Sequence, residues 1–340
     1  MAHTKSGIVV VTAVVVVVVA VGILLVAGGN RRGTPDVVRH HDGHAPPLPA
    51  QGLFVVNTAQ ARLVHTVALP TGLGGGDVGG GFGWLADDDG VLQLNPRTGS
   101  PVKTLRIAGG AAAVVYVGGK LWVATPGGST PPSATTNVLE VDPQVGAIHP
   151  IFVPDSSDSI YRGGGYVWVP GRTHIARIDP ATRQIRRLPI RLAQPNMGCA
   201  ATYADSVLWI ADARLHDQLL EIDPRSLTVE HHTAIPDPGE PEYCVTAGAG
   251  RVWVGSTRGS DIYAIDPRTA RPTGVALHVG RMHWMTGTRD ALWFSTAEAP
   301  ATLRAVAGDG TPAATVALPA RPAGFEAFGT LLYAGFARPT

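Results

Sequence analysis

Residues 251–269, RVWVGSTRGSDIYAIDPRT, contain the pattern that decides the fold. Val252-Trp253-Val254 places a large aromatic residue between two β-branched residues, which is typical of a strand. Ile262 to Ile265 is a second apolar run. Asp266-Pro267-Arg268-Thr269 then predicts a tight turn, because the Asp side chain caps the turn and Pro fixes φ at the next position. The stretch therefore predicts a Trp-bearing strand, a second strand and a hairpin turn.

This unit recurs along the chain. Its aromatic positions are separated by 38, 46, 41, 44, 40 and 40 residues, and they are Trp84, Trp122, Trp168, Trp209, Trp253, Trp293 and Tyr333. Related turns occur at Asn95-Pro96, Asp142-Pro143, Asp179-Pro180, Asp223-Pro224 and Asp266-Pro267. Four strands at this period are typical of one β-propeller blade. We therefore predict an all-β propeller in which each Trp packs between neighbouring blades.

The two chain ends set the number of blades. Leu53–Leu69 has the pattern of an outer hairpin with no Trp strand before it. Phe325–Phe336 has the pattern of an inner strand and a Tyr333 strand with no hairpin after it. Together they predict one composite blade, which adds to six complete blades and closes a seven-bladed ring. We number the composite blade 1 and the others 2 to 7 in chain order.

The composition excludes several classes of protein. Twenty-seven Lys and Arg against 26 Asp and Glu give a net charge of +1, which argues against a nucleic-acid partner because that needs a concentrated basic surface. High Gly and Pro contents argue against helical bundles. Two cysteines exclude a disulfide-dense scaffold.

The N-terminal region predicts export. Residues 7–26 are 20 residues without a charge, long enough for a helix to cross a bilayer. We expect residues 1–28 to be an uncleaved single-pass anchor in the cell membrane, with the propeller outside the cytoplasm; a cleaved secretory signal is the alternative. Residues 29–50 predict a flexible linker, whose His40, His41 and His44 are expected to be solvated. Residues 51–340 then form the propeller.

The repeated Trp strand and the Ile-Asp-Pro-x-Thr turn resemble bacterial seven-bladed propellers of the YVTN type and of the streptogramin (virginiamycin B) lyase type. The resemblance covers about residues 51–338. It differs from the WD-repeat family, in which a Trp-Asp pair ends a strand, because Trp here is followed by Leu, Val, Ile or Phe. It implies the fold but leaves the activity open, since one fold hosts many functions.

His283-Trp284-Met285-Thr286-Gly287 is similar to the start of an inner strand in the streptogramin lyases. The resemblance implies His283 as a candidate catalytic residue, with Mg²⁺ as cofactor, for a β-elimination by a carbon–oxygen lyase. The equivalent residue one blade earlier is Tyr243 rather than His, and the family's acid after Trp is retained only as Asp87 and Asp212. An elimination needs a base, an acid and charge stabilisation together. We therefore expect binding rather than catalysis, with no cofactor.

Ligands of such rings lie on one face, where loops enter the inner strands; we name it the entry face. Asp77, Asp155 and Asp158 fall in these predicted loops. The candidate binding residues are Glu242, Tyr243, Arg281, His283, Trp284, Asp212 and Asp87. No metal ligands are predicted. Cys199 and Cys244 open inner strands of adjacent blades, where they form either a disulfide or two buried thiols.

Three functions remain open. The favoured hypothesis is an exported, non-catalytic propeller that binds a protein partner or a small ligand on its entry face. A lyase-like enzyme on the same face is the first alternative. A structural scaffold between envelope proteins is the second, and it predicts a broad apolar patch on the surface.

Overall fold

The computed structural model describes residues 48–69, 73–126, 138–190, 192, 199–212, 218–236 and 243–337. The predicted membrane segment, residues 7–26, and the linker histidines lie outside these residues. Within them, no helix has the length and apolar character needed to span a bilayer.

The described residues form seven four-stranded antiparallel sheets, one for each predicted blade. The first strands are β1 (Gln51–Asn57), β2 (Arg62–Ala68), β3 (Leu73–Gly79), β4 (Phe82–Asp87), β5 (Gly90–Leu94), β6 (Pro101–Arg106), β7 (Ala113–Val117), β8 (Lys120–Ala124), β9 (Val138–Val141) and β10 (Ile148–Ile151). The next are β11 (Tyr161–Gly163), β12 (Tyr166–Pro170), β13 (His174–Ile178), β14 (Ile185–Pro189), β15 (Ala201–Ala204), β16 (Val207–Asp212), β17 (Gln218–Asp223) and β18 (Thr228–Ala234). The last are β19 (Tyr243–Gly248), β20 (Arg251–Ser256), β21 (Asp261–Asp266), β22 (Arg271–His278), β23 (Met282–Gly287), β24 (Leu292–Thr296), β25 (Thr302–Val306), β26 (Pro312–Ala317), β27 (Gly324–Phe328) and β28 (Leu331–Ala337).

The composite blade is confirmed. Its sheet order is β2-β1-β28-β27, so the N-terminal hairpin forms the outer half and the C-terminal strands form the inner half. β1 pairs with β28 along its whole length, from Gln51 opposite Ala337 to Asn57 opposite Leu331. Without this pairing, β1 and β28 would each have a free edge. Because the two edges pair with each other, the N-terminal hairpin and the C-terminal strands close the ring. Blades 2 to 7 follow as β3–β6, β7–β10, β11–β14, β15–β18, β19–β22 and β23–β26.

The six Trp residues of the second strands are the largest buried side chains of the core, with at most 1% of their surface exposed. Five of them also donate their indole N–H to the carbonyl five residues earlier, at the end of the inner strand; Trp253, for example, reaches the Gly248 oxygen at 3.0 Å. In blade 1, Tyr333 donates instead to the Pro96 carbonyl of blade 2, at 3.2 Å. One residue per blade therefore packs against neighbouring sheets and ties the inner strand to the second strand.

The predicted turns form between the third and fourth strands. Asp142 Oδ1 accepts hydrogen bonds from the backbone N–H groups of Gln144 and Val145, at 2.8 and 3.2 Å. A hydrogen bond from Lys120, followed by those backbone donors, lowers the pKa of Asp142 to about 2. Asp179 and Asp223 accept the same pair of backbone bonds. The ionised Asp is therefore the form that these turns stabilise.

Candidate ligand-binding channel

The inner strands of all seven blades surround a central cavity of about 1080 Å³. Its lining includes residues of β3, β7, β11, β15, β19, β23 and β27. Cavities of this size commonly hold small ligands, which they orient with a few polar groups among apolar walls. The cavity is therefore the candidate functional site.

One inner-strand residue per blade lies directly opposite the aromatic residue of the second strand. We name this set the channel layer; it comprises Asp77, Val115, Tyr161, Thr202, Thr246, Thr286 and Glu326. All seven line the cavity. The layer is mostly polar, and its two acids lie on the neighbouring blades 2 and 1. The repeat thus brings seven positions that are about 40 residues apart in sequence to one level of the channel.

Part of the channel layer satisfies the free edge of the next blade. Each inner strand has one edge without a partner strand, so its N–H groups need other acceptors. Asp77 accepts from the Tyr116 N–H of blade 3 at 2.8 Å, and also from the N–H of Val78 at 2.7 Å. Thr246 accepts from the Gly287 N–H at 2.9 Å. These two side chains join neighbouring blades along the channel.

Glu326 is in a different situation. Burial raises the pKa of its carboxyl to about 8, and the negative charge of Asp77 adds to the shift. Its carboxylate oxygen Oε2 accepts a long hydrogen bond, 3.4 Å, from the Thr286 hydroxyl. At neutral pH the protonated form is therefore favoured, and Glu326 can donate a hydrogen bond into the channel.

Arg162 adds a positive charge to the channel lining. Its Nε lies 2.9 Å from Asp77 Oδ2, and half of its side chain remains exposed. Burial raises the pKa of Asp77, although Arg162 and the two backbone donors oppose that shift. Burial also raises the pKa of the neighbouring Tyr161, so its hydroxyl stays protonated. The Tyr161 hydroxyl accepts a hydrogen bond from the Ala200 N–H at 3.2 Å. The channel thus offers a guanidinium and a carboxylic acid as donors.

The entry face carries a basic group beside the channel mouth. Arg281 and Arg321 are exposed, and His283 is half-buried. Burial lowers the pKa of His283, and the charges of Arg321 and Arg281 lower it further. The ring atom Nδ1 of His283 is buried without a hydrogen-bond partner in the described part of the chain. Trp284, the next residue, lines the cavity and donates its indole N–H to the Phe325 carbonyl at 2.9 Å.

The other predicted binding residues lie elsewhere. Tyr243 is 3% exposed and belongs to a core cluster with Trp209 and Val252, so the structure does not place it at the rim. Asp87 is buried at the end of β4, where it accepts a bond from the Asp89 N–H at 3.0 Å. Asp212 is buried at the end of β16. Glu242 lies outside the described residues. Asp77, expected in an entry loop, is inside β3 and belongs to the channel layer.

Cys199 and Cys244 are joined in a disulfide, with their Cα atoms 4.7 Å apart. The bridge links the entry sides of blades 5 and 6, and Cys199 lines the cavity. The Val245 N–H also donates to the Cys199 carbonyl, at 2.6 Å. The two blades are therefore held together at the channel mouth.

The surroundings of His283 do not suit the magnesium ion of the lyase alternative. Mg²⁺ is held by carboxylate and other oxygen ligands, whereas the charges that act on His283 are those of two arginines. Among the described residues, no group of three or more His, Cys, Asp and Glu side chains is arranged to hold a metal ion.

A register signal in the sequence marks the channel residues that sequence reasoning missed. Each member of the channel layer precedes the aromatic residue of its blade by seven positions, as Glu326 precedes Tyr333. Among the residues that lie seven positions before the aromatic residues, Asp77 and Glu326 are the two acids. Their proximity is a consequence of ring closure, because blade 1 becomes the neighbour of blade 2 only in the closed ring.

Comparison with known proteins supports the fold. BamB from Moraxella catarrhalis is similar at a TM-score of 0.54, with 16% identity, over 80% of this chain and 88% of that chain. The extracellular domain of a putative one-component system from B. thetaiotaomicron has a TM-score of 0.56 and 12% identity, over 84% of this chain but 40% of that one. The WD40 domain of Neurospora crassa Pan2 has a TM-score of 0.57 and 8% identity, over 79% and 90%. No protein-family profile and no curated protein sequence matches the chain. At these identities the likeness shows the propeller fold alone.

Proposed function

We propose that this protein is an exported, non-catalytic propeller that binds a small polar ligand in its central channel, entered from the entry face. The observation that carries the proposal is the cavity of about 1080 Å³, in which one residue from each blade forms a single, mostly polar layer. A purely structural ring has no need for a carboxyl whose pKa is raised to about 8 inside its channel.

The channel residues define the chemistry of the ligand. Protonated Glu326 and the exposed part of Arg162 are donors, so they suit carbonyl and hydroxyl oxygens. Trp284 offers an apolar surface at the mouth. Its indole ring packs beside Gly324, and a Cβ atom at residue 324 would lie 3.6 Å from the ring. A ligand with several oxygen acceptors and one apolar face fits this arrangement.

Two features support export. Disulfides persist in oxidising compartments outside the cytoplasm, and the chain pairs its two cysteines. The apolar residues 7–26 have the length of an anchor or an export signal. We propose that the propeller is tethered outside the cytoplasm, with its entry face open to the surrounding medium.

The test is a thermal-shift screen of sugars, amino acids, nucleosides and short peptides with the purified propeller. Glu326→Leu should weaken binding of any hit by about tenfold or more, since a lost hydrogen bond to a polar ligand leaves its partner unpaired. Glu230→Leu is the matched control, because Glu230 is exposed on the outer strand β18 and should leave binding unchanged.

Two outcomes would contradict the proposal. Equal affinities of the two variants would place the ligand outside the channel, and no hit at all would favour a scaffold. The lyase alternative has its own arm, in which a cyclic depsipeptide antibiotic is incubated with the protein and magnesium. If the protein formed linearised product and His283→Ala did not, the protein would be an enzyme and the binding proposal would be wrong.

A further inference from the structure

Two arginines lie at the entry-side ends of the inner strands of neighbouring blades. Arg281 and Arg321 each precede the aromatic residue of their blade, Trp293 and Tyr333, by twelve residues. Arg281 directly precedes β23, and Arg321 lies three residues before β27. A β-bulge between Met282 and Trp284 shifts the register of β23 by one residue, so Arg281 is level with Pro322, the neighbour of Arg321. Because blades 7 and 1 are adjacent in the ring, both arginines lie on the entry face, about one residue apart in level. His283 follows on the first of these strands.

The two arginines supply the positive charge of a group that, together with His283, we name the rim cluster. The three residues lie at the entry-side ends of β23 and β27, which are in contact, and the charges of both arginines lower the pKa of His283. Arg281 and Arg321 are exposed and form no ion pair within 4.0 Å among the described residues. Unlike Arg162, which is held by Asp77 at 2.9 Å, they are available to a ligand.

The rim cluster borders the channel mouth. Trp284 follows His283 directly, lines the cavity and is bonded to the Phe325 carbonyl of blade 1. Phe325 in turn precedes Glu326, the protonated acid of the channel layer. The cluster lies just outside the cavity lining, so a ligand that extends from the channel layer past Trp284 would reach it.

We propose that the rim cluster binds an oxyanion, the carboxylate or phosphate group of the channel ligand. This inference rests on the proposed function and names the class of ligand. Guanidinium groups form paired, charge-assisted hydrogen bonds with carboxylates and phosphates. The half-buried His283 adds a neutral imidazole beside them. A cationic ligand is disfavoured at the two guanidinium groups, although the Glu298 carboxylate lies beside Gly280, the residue before Arg281.

The experiment titrates the propeller with two probes, citrate and inorganic pyrophosphate, at constant ionic strength, and follows Trp fluorescence. Trp284 lies beside the rim cluster. The variant Trp284→Phe shows how much of the fluorescence change comes from this residue. We expect at least one probe to bind saturably. Replacing both arginines, Arg281→Gln with Arg321→Gln, should weaken that binding about tenfold or more, which is about 1.4 kcal/mol at least.

The matched control replaces two exposed arginines of outer strands, Arg106→Gln with Arg271→Gln, which changes the net charge equally. It should retain the affinity of the unmodified protein. Glu326→Leu should also retain oxyanion binding while it loses the channel ligand, so the two proposals fail separately. Absence of saturable binding by both probes would overturn the inference. So would equal affinities of the rim and control variants.

Discussion

Glu326 is an acid whose surroundings disfavour its charge. Its pKa is about 8 in the folded protein against an ordinary value of 4.5. Between these values the folded chain retains a proton that the unfolded chain has released, so stability falls as the pH rises from 4.5 to 8. Above pH 8 the folded protein contains two negative carboxylates on adjacent blades.

Glu326→Gln should remove this dependence, because Gln keeps the shape of the protonated acid without ionising. The variant and the unmodified protein should be equally stable at pH 4. At pH 9 the variant should be more stable by up to a few kcal/mol, given about 1.4 kcal/mol per pKa unit. Denaturant unfolding across this pH range measures the difference. Glu230→Gln on the exposed strand β18 is the control; if it gave the same gain, the effect would not belong to the channel.

The second strand of each blade owes its position to one aromatic residue. Five of the six Trp side chains are bonded through Nε1 to the end of the inner strand. The sixth, Trp293, is buried equally, but its Nε1 has no hydrogen-bond partner within the described residues. The ring therefore contains a natural comparison between two Trp residues that differ in one hydrogen bond.

Trp253→Phe and Trp293→Phe remove the same volume from equivalent places. Trp253→Phe also leaves the Gly248 carbonyl without its 3.0 Å donor, so it should cost about 1 kcal/mol more in unfolding free energy. Urea denaturation of the two variants and of the unmodified protein gives both values. Equal losses of unfolding free energy would mean that packing alone, without the hydrogen bond, accounts for the contribution of Trp at this position.

The molecule as a whole depends on pairing between its two chain ends. β1 and β28 are hydrogen-bonded over seven residue pairs, and β1 has β2 on its other side. Blade 1 therefore couples the first and last described strands, and no single segment of the chain supplies it. Opening the ring would expose strand edges on both sides of the gap.

Deletion of residues 324–340 should remove β27 and β28 and leave β1 as an unpaired edge. The expected result is aggregation and a lower melting temperature, because an exposed edge templates pairing with another chain. Removing residues 338–340 alone is the control. Size-exclusion chromatography and thermal denaturation compare the two truncations. A monomeric Δ324–340 protein with an unchanged melting temperature would contradict closure by blade 1.

The repeat in the sequence was enough to predict seven blades, the Trp positions, the turns and the composite blade. Each depends on local chemistry that recurs along the chain: an aromatic residue in a strand, an Asp-Pro turn, or alternating apolar residues. The channel site was predicted less well. Tyr243 was expected at the rim and is in the core, since the side of a sheet to which a residue points depends on the register of its strand. Asp77 and Glu326 became neighbours only through ring closure, and the basic group of Arg281, His283 and Arg321 formed because blades 7 and 1 meet. The sequence thus determined what each blade is, whereas tertiary structure decided which charges share a site, because those distances are set by the ring rather than by the separation along the chain.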